Sequence, residues 1–284
     1  MFKVRLLRAV LMPKRIAIIL ALVTCSCKPT EESHMKAIIG AVLMDGSGGP
    51  PVSNSIVVTA GERIRAAGAA STIPIPAEAD KIDGSGRFLV PSIVDMDDGS
   101  NKTVPGIAHL FKKEEAEFEK ARDAKLAIIG HIATLADAEW MVNNGANALI
   151  GAIGDTEKLD PEFLTRLRDL RIVVAPSLSH AGAQLETAKH TTYAMFRAGV
   201  PIALATRGGD PLHEAELLAD AGIPAQDVLV AITRNSAAAL HRAEAGWIRP
   251  AASADLLLLS ANPGEDIRNL RKVAMRITAG EIAR

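Results

Sequence analysis

The chain has 284 residues, of which 48% are apolar and only 3% aromatic, and its formal net charge is −1. This length is enough for one large barrel-type domain, or for one domain with a small satellite, and the core must consist mostly of Ala, Val, Leu and Ile. Basic and acidic residues are interspersed without an aromatic platform, which excludes nucleic acid as an expected partner.

The first 27 residues have the composition of an export signal. Basic residues precede the apolar run 16–23, and no acidic residue occurs before Glu31. The run is too short to span a bilayer, so the pattern predicts a secretory signal peptide. The two cysteines of the chain, Cys25 and Cys27, follow it directly, and either is a candidate for lipidation. Ordinary cleavage near Cys27, which releases a soluble periplasmic product, is the alternative.

Residues 28–35 are expected to be a short polar tether. Because both cysteines precede it, no structural disulfide is expected in the folded part. The N-terminal pattern therefore predicts an exported, periplasmic protein of the lipoprotein type. A membrane would be a partner only through the N-terminal lipid anchor.

Short apolar segments separated by Gly and Pro follow the tether at residues 37–44, 55–60 and 64–68. The C-terminal part contains similar segments at residues 254–259 and 273–277. Short strands bounded by turn residues predict a small antiparallel sheet.

Helical and strand patterns alternate in the middle of the chain. The expected strands are 126–131, 148–153, 172–175 and 201–206, and the expected helices are 113–125, 134–144, 161–170, 185–198, 214–221 and 225–240. Thr134 with Asp137 fits a capping box, and Asp160 before Pro161 fits a helix start. Such an alternation predicts parallel βα units.

A Gly-containing turn leads into the apolar residues 88–94, which predict a buried strand. Three carboxylates, Asp95, Asp97 and Asp98, follow this segment directly. Acidic groups at the C-terminal end of a strand lie where a barrel enzyme holds its reactive groups.

Residues 91–95 resemble the first barrel strand of the amidohydrolase superfamily, which usually reads Leu-Val-Pro-Gly-Leu-Ile-Asp and continues into His-x-His. Ser92 replaces the usual glycine of that pattern. Asp97 and Gly99 stand in the places of the two histidines. The chain thus resembles the family in its scaffold and departs from it in the residues that define the chemistry.

The resemblance implies an α/β fold, a (βα) barrel attached to a composite β-sandwich from both chain ends. Residues 36–86 and 246–284 would form the β-sandwich domain, and residues 87–245 the barrel domain. The stretches 198–201 and 218–223 are similar to the imidazolonepropionase-like branch.

A complete barrel of this kind needs about 250 residues, so the barrel domain of this chain is expected to be shortened. Strands two and three are expected to be absent, and residues 106–111 are either strand four or a linker. Open strand edges need cover. A homo-oligomer or a rearranged sheet would supply it.

The resemblance also implies one or two divalent metals that activate water for the hydrolysis of non-peptide C–N bonds. Of the family's ligand set, His131 on expected strand five is kept. Gly151 stands where the strand-six histidine would be, and Arg207 stands where the strand-eight aspartate would be. A guanidinium repels a dication, so the dinuclear centre is expected to be lost.

Two arrangements remain open for the other polar residues. Asp97, His109 and His131 could form a mononuclear site with two histidines and one carboxylate, most suitably for zinc. Arg207 and Asp97, the candidates for a catalytic role, could instead form an ion pair that replaces the metal. His180, Asp98 and Asp210 are further candidates for the same pocket.

These residues are compatible with two functions. The first is a non-catalytic or ligand-binding homologue, a pseudoenzyme that takes a small molecule at the barrel mouth. The alternative is an active C–N hydrolase with a rebuilt mononuclear metal site.

Overall fold

The computed structural model of the chain describes residues 34–100 and 104–283. The predicted signal peptide, both cysteines and most of the tether lie outside the described residues. Within these two ranges, no helix combines the length and hydropathy that crossing a membrane requires.

The described residues contain twelve strands and seven α-helices. The strands are β1 (Met35–Leu43), β2 (Val52–Ala60), β3 (Arg63–Ala69), β4 (Asp80–Asp83), β5 (Phe88–Pro91), β6 (Ile107–Leu110), β7 (Ala127–His131), β8 (Ala148–Ile150), β9 (Val173–Ala175), β10 (Leu256–Leu259), β11 (Val273–Thr278) and β12 (Glu281–Ala283). The helices are α1 (Glu115–Asp123), α2 (Leu135–Asn143), α3 (Pro161–Asp169), α4 (Leu185–Arg197), α5 (Pro211–Asp220), α6 (Ala225–Val230) and α7 (Ser236–Ala239).

Strands from both chain ends form one eight-stranded sheet with the order β12-β11-β10-β5-β1-β2-β3, and β4 also pairs with β1. Strand β10 lies antiparallel to β5, which brings the C-terminal segment against the N-terminal one. The β domain built from both chain ends, which the sequence predicts, is therefore confirmed.

The strand predicted at residues 88–94 is divided between two parts of the fold. Residues Phe88–Pro91 pair with β1 and β10 and so belong to the β domain. From Val94 onward the partners change: the Val94 N–H donates to the Ile232 carbonyl and the Met96 N–H donates to the Leu204 carbonyl. The prediction of a single barrel strand was wrong in extent, because the strand ends at Pro91 within the β domain and the following residues bond to the barrel part.

Strand β10 joins the two hydrophobic cores of the molecule. Its four leucines are all buried. Leu256 and Leu258 face the core of the β domain, whereas Leu257 and Leu259 pack into the core beneath the helices. Since successive side chains of a strand point to opposite faces, an unbroken run of leucine is what a strand between two cores requires.

The barrel part is a parallel sheet in the order β6-β7-β8-β9. A parallel bridge between Val174 and Ile202 adds the segment 201–206 to this sheet. The bond from Met96 to Leu204 then adds the segment 94–97. The wall of the barrel thus runs from β6 to Asp97, and no described strand closes the side between Asp97 and β6. The predicted incomplete barrel is confirmed, and residues 107–110 form a strand rather than a linker.

Alternation along the parallel strands separates the inside of the barrel from its outside. Ile128, Leu149 and Val174 pack against the helices. Inward positions include the alanines Ala175, Ala203 and Ala205, together with other small or aliphatic side chains. A barrel with fewer strands has a narrower interior, and small inward side chains fit such an interior.

The local helix signals are confirmed. The Thr134 side chain accepts from the Asp137 N–H and the Asp137 carboxylate accepts from the Thr134 N–H, which is a complete capping box at α2. Asp160 caps α3, with Pro161 in its first turn. The single helix predicted at residues 225–240 instead contains a π-helical turn, Ala231–Asn235, between α6 and α7.

Candidate functional site

A cleft of about 770 Å³ occupies the open side of the barrel, between Asp97 and β6. No described strand lies on this side of the barrel. The lining combines two arginines, three aspartates and a histidine with apolar and small residues: Arg207, Arg242, Asp95, Asp97, Asp98, His109, Met96, Gly99, Ser100, Val104, Ile107, Phe111 and Leu240.

Two histidines meet at one edge of the cleft. His109 is on β6, and His131 is the last residue of the neighbouring strand β7. Parallel pairing of these strands brings their C-terminal ends together, so that Nδ1 of His109 lies 3.0 Å from Nε2 of His131. The structure therefore brings together two of the three residues expected in a rebuilt metal site.

Phe111 packs against one histidine of the pair. Its ring stacks on that of His131 with centroids 4.0 Å apart and an interplanar angle of 22°. The Phe111 side chain is nevertheless 63% exposed. It was not predicted as a site residue, although an aromatic residue directly after a short strand in an aromatic-poor chain is a signal that could have been used.

Burial keeps both imidazoles neutral. The pKa of His131 is lowered to about 4, mainly by desolvation and also by the neighbouring His109 and Arg207. The negative charge of Asp97 acts in the opposite direction. Burial also lowers the pKa of His109, against the charge of Asp97. At neutral pH the pair thus shares one hydrogen bond between two uncharged rings.

Asp95 fixes the strand ends beneath the cleft. Its carboxylate accepts from the Thr206 N–H at 3.0 Å, from the Thr206 hydroxyl at 2.5 Å and from the Asp97 N–H at 3.0 Å. Burial raises the pKa of Asp95 in spite of these donors. The last residue of the family-like stretch therefore ties the segment 94–97 to the segment 201–206.

Arg207 follows that segment in a left-handed backbone conformation, with φ of +52°. Its N–H donates to the carbonyl oxygen of Asp97 at 2.6 Å. The Asp97 carboxylate accepts from the Gly99 N–H instead. The predicted ion pair between Arg207 and Asp97 is wrong: among the described residues, the contact between the two is made by their backbones only.

The other predicted pocket residues are distributed differently. Asp98 lines the cleft and accepts from the Ser100 N–H. His180 lies on an exposed turn after β9, beside the Ser179 hydroxyl, and Asp210 caps α5 and pairs with Arg271. His180 and Asp210 do not line the cleft.

A buried carboxylate that was not predicted from the sequence supports the loop after β9. Glu214 on α5 is 1% exposed and accepts from the N–H groups of Leu178 and Ser179. Burial raises its pKa. In sequence it is indistinguishable from a surface residue of an amphipathic helix, because the loop that it holds is more than 30 residues away.

The residues at the strand ends do not fit the dinuclear metal centre that the family resemblance implies. Gly151, at the end of β8, has φ of +134°, and a Cβ there would overlap the carbonyl oxygen of Ile132. A histidine cannot occupy this position without a backbone shift. Arg207 supplies a positive charge where the other ligand would be. No group of three or more His, Cys, Asp or Glu side chains in the described part of the chain is arranged to hold a metal ion.

Comparison with known proteins gives matches among solved structures only; neither family models nor curated proteins match this chain. Molinate hydrolase is 14% identical with a TM-score of 0.73, over 89% of this chain and 95% of that one. Phenylurea hydrolase B is 15% identical with a TM-score of 0.74, over 88% and 96%. An amidohydrolase is 12% identical with a TM-score of 0.74, over 88% and 98%.

These similarities establish the fold. The chain has the fold of the amidohydrolase enzymes, a (βα) barrel with an attached β domain, in a form whose barrel is open on one side. The resemblance drawn from residues 91–95 is thereby confirmed at the level of fold. Fold alone does not determine chemistry.

Proposed function

We propose that the chain is a non-catalytic protein on the amidohydrolase fold that binds a small molecule in the open cleft. The observation that carries this proposal is the backbone at Gly151, which leaves no space for a side chain where the fold would hold a metal-ligating histidine. The guanidinium of Arg207 adds to it, because a positive charge beside a dication is unfavourable.

The cleft has the properties of a ligand site rather than of a filled core. Its volume of about 770 Å³ falls in the range of roughly 300–1,000 Å³ that is usual for small-molecule pockets. Apolar walls and a few polar groups converge in it, which is the composition that orients a small ligand.

A hydrolase of non-peptide C–N bonds with a rebuilt mononuclear site is the second candidate. The distance of 3.0 Å between nitrogen atoms of His109 and His131 favours it, since two imidazoles at one strand edge are common metal ligands. Asp97 lies near enough to influence the pKa of both histidines.

Metal analysis of the purified full chain separates the two candidates. We expect less than stoichiometric zinc after incubation with zinc and removal of the excess, and no difference between the wild type and His131→Ala. His190→Ala, which changes an exposed histidine on α4, is the matched control. One zinc per chain that is lost in His131→Ala but kept in His190→Ala, together with C–N hydrolysis that a chelator abolishes, would refute the proposal.

We also propose that the protein is exported and lipid-anchored. The support is the basic and apolar composition of the first 27 residues and the position of Cys25 and Cys27. Radiolabelled palmitate should be incorporated when the full chain is expressed in a bacterium. One of the two single variants, Cys25→Ala or Cys27→Ala, should abolish the label, and the other should keep it. A labelled double variant, or an unlabelled wild type, would contradict this.

A further inference from the structure

Two arginines face the cleft without an acidic partner among the described residues. Arg207 and Arg242 both line it, and within the described residues neither side chain forms an ion pair or a hydrogen bond. Some arginines elsewhere in the chain are paired with carboxylates: Arg268 bonds to Asp220, and Arg271 bonds to Asp210 and Glu216. The cleft thus contains cationic donors that no described residue uses.

The histidine pair supplies a further donor. Nδ1 of His131 is buried and has no hydrogen-bond partner in the described part of the chain. A buried N–H without an acceptor is costlier and rarer than a buried lone pair without a donor. We therefore assign the proton of His131 to Nε2, which donates it to Nδ1 of His109.

This assignment determines what His109 offers to the cleft. With its Nδ1 acting as acceptor, the neutral ring carries its own proton on Nε2. Nε2 of His109 has no partner among the described groups and is not one of the buried unpaired atoms, so it reaches the solvent in the cleft. His109 is then a hydrogen-bond donor on the wall that it shares with Phe111.

The other lining residues restrict the ligand. Phe111, Leu240 and Val104 provide apolar surface, which suits a ligand with an apolar or aromatic body. Asp97 and Asp98 also line the cleft, and they would repel a highly charged group such as a phosphate dianion. A carboxylate monoanion matches both features.

We propose that the cleft binds a small organic carboxylate with an apolar or aromatic body, through the guanidinium groups of Arg207 and Arg242 and the Nε2–H of His109. This inference rests on the proposed function and defines the ligand class of the same site. Charge-assisted hydrogen bonds from arginine are the strongest contacts available for such a group.

The test compares benzoate with benzamide, its uncharged counterpart, by ligand-observed NMR titration of the purified full chain. We expect benzoate to bind about tenfold more tightly than benzamide, because its charged carboxylate accepts stronger hydrogen bonds from the guanidinium groups than a neutral amide does. Arg207→Gln and Arg242→Gln should each weaken benzoate binding about tenfold and leave benzamide unchanged. Arg197→Gln, which alters an exposed arginine on α4, should change neither.

The possible results separate the carboxylate assignment from the proposal that the cleft binds a small molecule. Equal affinity for the two probes, or no effect of Arg207→Gln and Arg242→Gln, overturns the carboxylate assignment and leaves small-molecule binding standing. No binding of either probe overturns both. Nitrogen-15 NMR of the histidine rings checks the donor assignment separately: His109 should carry its proton on Nε2, and a proton on Nδ1 would overturn the role of His109.

Discussion

The closed and open sides of the barrel differ in what their residues do. On the closed side, β7 to β9 and the segment 201–206 join through backbone hydrogen bonds and bury aliphatic side chains on both faces. On the open side, between Asp97 and β6, arginines, aspartates and a histidine face an accessible cleft. The contrast suggests that the closed side provides stability and the open side provides recognition.

This division predicts different effects for substitutions on the two sides. Substitutions on the closed side should lower the free energy of unfolding, and those on the open side should change ligand binding with little effect on stability.

The largest effect is expected at Gly151. Gly151→Ala places a Cβ against the carbonyl oxygen of Ile132 and requires φ of +134°, which side chains rarely adopt. Overpacking and backbone strain together should lower the free energy of unfolding by about 3–5 kcal/mol. Urea unfolding followed by circular dichroism measures this change.

The matched control is Gly86→Ala, in the turn before β5. Gly86 also has positive φ, +71°, but a Cβ there has no neighbour within 4 Å. Gly86→Ala should lower the free energy of unfolding by about 1 kcal/mol, which is the conformational cost alone. Equal losses in the two variants would show that the contact with Ile132 relaxes at no cost, and a histidine at position 151 would then be feasible.

The next largest effect is expected at Glu214, which supports the loop after β9 on the closed side. Glu214→Ala leaves the buried N–H of Leu178 and the part-buried N–H of Ser179 without an acceptor, so the free energy of unfolding should fall by about 2–4 kcal/mol. Glu216→Ala, on the same helix, removes an ion pair with Arg271 near the surface and should cost no more than about 1 kcal/mol. A smaller loss at Glu214 than at Glu216 would contradict the role assigned to the buried carboxylate.

An intermediate effect should follow from the pH dependence of His131. Its pKa is about 4 in the folded protein and 6.5 in its ordinary state. Between these values the unfolded chain binds the proton more strongly, so stability should fall as the pH falls from 6.5 to 4, by at most about 1.4 kcal/mol per pH unit. The measurement is urea unfolding at several pH values, for the wild type and His131→Asn.

The difference in stability between the wild type and His131→Asn reports the contribution of His131. Burial raises the pKa values of Asp95 and Glu214, and these carboxyl groups add stability as the pH falls, in both proteins alike. The wild type should lose stability relative to His131→Asn over this range, whereas His190→Asn should follow the wild type. Parallel curves for the wild type and His131→Asn would mean that His131 titrates normally.

The features that the sequence predicted correctly depend on neighbouring residues. The capping box of Thr134 and Asp137 and the helix start at Asp160 and Pro161 lie within a single turn of chain. The division of residues 88–94 could not be predicted, because it depends on β10, which lies more than 160 positions further along the chain.

Contacts between distant residues also decided which parts of the candidate site could be predicted. His109 and His131 were predicted as partners because the fold resemblance placed them on adjacent strands, and they meet at 3.0 Å. Arg242 and Phe111 were missed, since only the tertiary fold shows that both face the same cleft as Arg207. The expected ion pair between Arg207 and Asp97 is not formed among the described residues, and the Asp97 carboxylate accepts from the Gly99 N–H instead.

The smallest effect on stability is expected at Arg207. Arg207→Gly removes a side chain held in the left-handed region, at φ of +52°, where glycine is not strained. The relief and the greater entropy of the unfolded glycine chain oppose each other, so the free energy of unfolding should change by less than about 1 kcal/mol. Benzoate affinity should nevertheless fall about tenfold. A loss of stability as large as that of Gly151→Ala would show that the Arg207 side chain supports the strand ends. The division between a stabilising closed side and a ligand-binding open side would then be wrong for Arg207.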